Sequence, residues 1–76
     1  MTTPASILSA IRPELDFAAS NDFFADGLLD SLDLMILVAE LEKSYGVRIH
    51  GTAIVPENFR NLAAIERLIE EIGDQI

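Results

Sequence analysis

The residue best placed to do chemistry in this chain is a serine at the head of a long apolar-striped segment. Gly27-Leu28-Leu29-Asp30-Ser31-Leu32 puts the Ser31 hydroxyl where a helix begins, and the unpaired N–H groups and dipole of a helix start favour an anion. A phosphate ester on Ser31 suits that position. Asp30 and Asp33 would repel a free phosphate, so a covalently modified serine offered to a cationic enzyme fits better than an anion-binding pocket. Residue types alone leave another reading open, in which Asp30 or Ser31 is simply the N-cap, and capping and modification do not exclude each other. Two other constellations fit less well. Asp22, Asp26, Gly27 and Asp33 fall at the first, fifth, sixth and twelfth places of a calcium-binding loop, but Phe24 takes the third place, where an oxygen ligand is needed, and the twelfth wants a glutamate. A hydrolase built on Ser31 lacks the Gly-x-Ser-x-Gly elbow, and His50, the single histidine, has no assigned partner and reads as an exposed loop residue.

Composition narrows the classes further. The chain has 76 residues, half of them hydrophobic, and is expected to form one domain over 1–76 with a single core. Thirteen acids against five bases give a net charge of −8, which argues against nucleic-acid binding and for cationic partners. No cysteine is present, so there is no disulfide, thiolate metal site or thiol nucleophile, and no metal is expected. No apolar run reaches the ~20 residues of a membrane span, and Met1-Thr2-Thr3-Pro4 lacks the basic and apolar regions of a signal peptide, so a cytoplasmic location is expected; a monomer is expected as well.

The elements that must position Ser31 read as helices separated by loops, an all-α bundle of three main helices and a short fourth with a long first loop. Thr3 can cap a first helix with Pro4 at its first position and Ile7, Leu8 and Ile11 as its stripe, which Pro13 should stop or kink. From Glu14 to Asp30 the pattern is irregular, yet Leu15, Phe17, Phe23, Phe24, Leu28 and Leu29 require that loop to pack onto the core. The long helix starts at Asp30 or Ser31 and ends at Gly46, followed by a brief extended piece, Val47 to Ile49. Pro56 opens one short turn, and Asn61 caps a last helix with Leu62, Ile65, Leu68, Ile69 and Ile72 on one face and Glu66, Glu70, Glu71 and Asp74 on a solvated face or end.

The long helix has more apolar surface than one core can use. Leu34, Leu37, Val38, Leu41 and Tyr45 fall within a sector of roughly 100°, the width of a core-facing stripe. Leu32, Met35, Ile36 and Ala39 form a second sector opposite it, flanked by Asp33, Glu40 and Glu42. A helix buried on all sides would explain this, but in so small a chain the surplus face reads as a docking patch with an acidic rim. Leu29, Asp33, Met35, Ile36, Ala39, Glu40 and Glu42 make up that candidate surface. An acidic adaptor that docks through Met35 and Ile36 and carries nothing predicts the same patch without modification.

Asp30-Ser31-Leu32 at the head of the second main helix resembles the acyl and peptidyl carrier proteins. Phe23-Phe24, Gly27-Leu28-Leu29-Asp30-Ser31-Leu32, Leu37, Leu41, Glu42, Tyr45, Gly46, Val47, Ile49, Phe59 and the final helix from Leu62 follow the family's order. The resemblance implies an acyl-carrier-like bundle in which Ser31, flanked by Asp30 and Leu32, receives a 4′-phosphopantetheine arm from a phosphopantetheinyl transferase. The arm's thiol then carries an acyl or aminoacyl group as a thioester. An adenylating ligase or acyltransferase would load it and a downstream synthase or transferase would use it, while the carrier itself is no enzyme. Leu28-Leu29 looks more like free-standing aminoacyl, peptidyl or D-alanyl carriers than the fatty-acid type. Asp33 is similar to the fatty-acid pattern, and Ile36 stands where many fatty-acid carriers have a docking glutamate.

Overall fold

The structure, a computed structural model, describes residues 3–73. Four α-helices follow one another, α1 (Pro4–Ile11), α2 (Ser31–Tyr45), α3 (Pro56–Phe59) and α4 (Leu62–Gly73), with single 3₁₀ turns at Phe17–Ala19 and Gly51–Ala53 and no strand among the described residues. The expected all-α bundle with a long first loop is therefore the fold; Val47 to Ile49 joins no ladder.

α1, α2 and α4 each begin where a side chain satisfies orphan donors, whereas α3 starts after Val55 with no side-chain cap. Thr3 caps α1 reciprocally with Ser6, the Ser6 N–H donating to Thr3 Oγ1 at 3.1 Å and the Thr3 N–H to Ser6 Oγ at 2.9 Å, while Pro4 occupies the first position, where its missing N–H costs nothing. α1 ends at Ile11, one residue before Arg12-Pro13. Asn61 serves two elements: its Oδ1 accepts the Ala64 N–H at 2.8 Å to cap α4, and its Nδ2 donates to the Asn21 carbonyl at 3.0 Å. α2 ends at Gly46, whose φ of 65° lies in the left-handed region that glycine enters without steric cost.

α1 packs against α2 and α4, and α3 against α4. Leu8, Leu37, Leu41, Ile65, Phe23 and Phe59 are completely enclosed at the centre. The irregular segment between α1 and α2 is anchored there by Phe17 and Phe23, which meet edge to face with centroids 5.1 Å apart. The Phe23 N–H donates to the Arg60 carbonyl at 2.6 Å, and its own carbonyl accepts the N–H groups of Leu28 and Leu29 at 2.7 and 3.2 Å. One buried aromatic thus fixes the chain between α3 and α4 and sets the path that enters α2 at Asp30. Asp74 lies outside the described residues; Glu66, Glu70 and Glu71 are exposed, as is His50.

Candidate functional site

Asp30 is the N-cap of α2 and Ser31 its first residue. The Asp30 Oδ1 accepts the Asp33 N–H at 2.9 Å, and Asp33 Oδ2 accepts the Asp30 N–H at 3.4 Å, which closes a reciprocal capping box around Ser31. The N–H bond from Asp33 holds the Asp30 carboxyl below the usual carboxylate range, against partial desolvation and with further help from Asp33, Arg12 and the Leu32 amide. Because Asp30 does the capping, Ser31 is released from it. The Ser31 side chain is exposed and its hydroxyl has no hydrogen-bond partner among the described residues. It stands at the head of the helix, free to act as a nucleophile for an external group.

The docking surface expected from the sequence includes Leu29, Asp33 and Glu42, and the structure corrects those three placements. Asp33 is only 5% exposed. Its spacing of four and eight residues from Leu37 and Leu41 puts it on the inner stripe, not the outer one. There it takes a forked bond from Arg12, whose Nη2 lies 3.0 Å from Oδ2 and whose Nε lies 3.3 Å from Oδ1. That bond and the carboxylate's charge raise the Arg12 guanidinium further above its ordinary value. Leu29 is a core residue, also buried, because the Phe23 carbonyl draws its backbone inward. Glu42 is half-buried, and its Oε2 accepts the Ile49 N–H at 2.8 Å, tying the end of α2 to the following loop. None of these three is a free docking residue.

The rest of the outer stripe stands where the spacing put it. Leu32, Met35 and Ile36 are 70, 57 and 42% exposed, the large apolar side chains most open to solvent among the described residues, and Ala39 and Glu40 are exposed beside them. Ile36 and Glu40 line one wall of an open groove of ≈ 460 Å³ faced by Ser6, Ala10 and Ile11 of α1. The acids of the calcium-like pattern have other roles. Asp22 Oδ1 accepts the Phe24 and Ala25 N–H groups at 3.1 and 3.0 Å, Asp26 accepts the Ser20 hydroxyl, and Asp33 faces Arg12.

Arg12 is the neighbour of Asp33 that the sequence does not disclose, since the two stand 21 positions apart. Two signals bear on it: Asp33 falls on the buried stripe and needs a cation, and Arg12 is the sole lysine or arginine before Lys43.

A 4′-phosphopantetheine arm needs an accessible hydroxyl on a rigid element with room for a phosphodiester. The exposed, unbonded Ser31 at a double-capped helix start meets that need, and the charge of Asp33 beside it is offset by Arg12. No helix among the described residues is long and apolar enough to cross a membrane. No curated protein and no solved structure matches the chain. Residues 5–69 do match the family model for the phosphopantetheine attachment site, whose members are in general non-catalytic carriers that interact with partner enzymes, and the chain therefore belongs to this phosphopantetheine-binding carrier family.

Proposed function

We propose that Ser31 is the attachment residue, and that the chain is a cytoplasmic, monomeric, non-enzymatic carrier that holds an acyl or aminoacyl cargo on its arm and presents it to partner enzymes. What supports Ser31 is the exposed, unbonded hydroxyl at the first position of α2. Other serines within the matched span are differently placed: Ser6 and Ser20 are engaged with Thr3 and Asp26, Ser9 lies within α1, and Ser44 lies near the end of α2.

In the transfer, Ser31 Oγ attacks the phosphorus of coenzyme A that bears the pantetheine. The phosphoanhydride bond to adenosine 3′,5′-bisphosphate breaks, and the hydroxyl proton passes to a base on the transferase. The bound arm supplies a terminal thiol that holds cargo as a thioester, and the chain itself, without cysteine, offers no competing thiol. Asp30 contributes a carboxylate beside the serine for a cationic transferase, and Leu32 an exposed apolar contact. Met35, Ile36, Ala39 and Glu40 continue that surface along the helix for the loading ligase or acyltransferase and the downstream synthase or transferase.

Intact mass after incubation with coenzyme A and a broad-specificity phosphopantetheinyl transferase tests the assignment. The wild type should gain one phosphopantetheine and Ser31→Ala none. A modified Ser31→Ala, or an unmodified wild type, would remove Ser31 from the role, and the second result would favour a non-carrying adaptor.

A further inference from the structure

Behind Ser31, one base ties the start of α2 to the end of α1. Arg12 Nη2 donates to both carboxylate oxygens of Asp33, at 3.2 and 3.0 Å, and Nε donates to Oδ1 at 3.3 Å. Such a fork fixes the orientation of both planar groups, which a single point contact does not. Asp33 in turn accepts the Asp30 N–H while donating its own N–H to Asp30 Oδ1. Ser31 is enclosed within this pair of reciprocal bonds, and the clamp on their far side is Arg12. The Asp33 side chain is 7% exposed and that of Arg12 41%, so the carboxylate is the anchored partner and the guanidinium closes over it from the surface. Glu14, 3.9 Å from Nη1 and well exposed, adds little to the orientation.

Resting on Ser31 as the attachment residue, we propose that Arg12 is a positioning residue for phosphopantetheine transfer: it holds Asp33, and through Asp33 the Asp30 cap, so that Ser31 Oγ is presented in one orientation. The bond that forms is Ser31 Oγ–P and the one that breaks is P–O to adenosine 3′,5′-bisphosphate, with the hydroxyl proton leaving to the transferase's base. Arg12 touches none of these atoms. It acts by keeping the nucleophile's backbone in place, where small misplacements have large kinetic effects. It also neutralises Asp33 next to the phosphodiester that is formed.

Single-turnover kinetics with coenzyme A and excess broad-specificity transferase separate this role from a merely structural one. Partial unfolding of the carrier dilutes the competent substrate, raising the half-saturating transferase concentration while leaving the limiting rate unchanged. Loss of a positive charge alone would strengthen attraction to a cationic partner. Lost positioning lowers the limiting rate itself. Arg12→Met, which keeps the apolar stem and removes the fork, is expected to lower it by about tenfold, and Arg12→Lys, which keeps the charge with one fewer aligned bond, to recover part of that loss. A wild-type limiting rate in Arg12→Met overturns the proposal while the attachment reading stands, because the wild type is modified in the same assay. If Arg12→Met does not fold, the decision passes to Arg12→Lys, whose limiting rate at the wild-type value likewise overturns it. A wild type that accepts no arm overturns both.

Discussion

The two faces of α2 are built from the same kinds of side chain and have opposite fates. On one, Leu37 and Leu41 are completely enclosed. On the other, Leu32, Met35 and Ile36 stand in solvent. Hydropathy does not distinguish them; what does is what the rest of the chain can reach. α1 packs directly on α2, the Phe17–Phe23 segment and α4 add side chains to the same core, and among the described residues Leu32, Met35 and Ile36 on the other side stay exposed. Apolar residues kept on the uncovered face contribute nothing to the core and are available for recognition.

The sharpest way to break this contrast is to substitute a leucine of the inner face. Leu37→Ala should cost about 2–5 kcal/mol, a large share of the ~5–15 kcal/mol that holds a small domain together, and chemical denaturation would show it as a lower midpoint. A loss below about 1 kcal/mol would mean that the inner stripe is not the core. At the head of the helix a smaller, pH-dependent effect is expected. The Asp30 carboxyl lies below its ordinary range because it accepts the Asp33 N–H. A depressed acid contributes stability above its unfolded value of about 3.9 and loses it as the pH falls through the folded value. Melting temperatures across acid pH should therefore drop below about pH 4 in the wild type, and less steeply in Asp30→Asn, which keeps a capping oxygen but does not titrate. An identical acid limb in both proteins would contradict the capping box.

The outer face should give the smallest change in stability. Ile36→Lys is expected to shift unfolding by within about 0.5 kcal/mol, while loading by the cognate ligase or acyltransferase falls, since the apolar contact is lost and a like charge meets the cationic partner. Loss of the cooperative melt, or unimpaired loading of a folded variant, would take Ile36 off the docking surface.

Local chemistry was the legible part of this fold. Thr3-Pro4, Asn61 and Gly46 each mark a helix boundary through their own geometry, and the structure has its caps at those residues. Leu37, Val38 and Leu41 followed from spacing alone. The charge of Asp33 suggests the surface, whereas its position four residues before Leu37 carries it inward. The pairing with Arg12 spans α1, the irregular segment and the head of α2, and no periodicity reports a contact across such a loop. Leu29 packs onto the core as its place in the apolar loop requires, whereas the placement of Glu42 depends on a backbone partner, the Ile49 amide, which only the folded chain brings near.

Because Ser31 is the first residue of α2 and not part of the loop before it, the helix works as a ruler. Each residue advances about 1.5 Å along the axis and turns about 100°, so Met35 lies about 6 Å from Ser31 and only about 40° round, and Ile36 about 7.5 Å away. The inner stripe keys α2 to the core and prevents it from rolling. A partner that grips Met35 and Ile36 would thereby fix both the distance and the bearing at which the arm leaves the carrier, and the mouth of its own active site would have to lie at that offset.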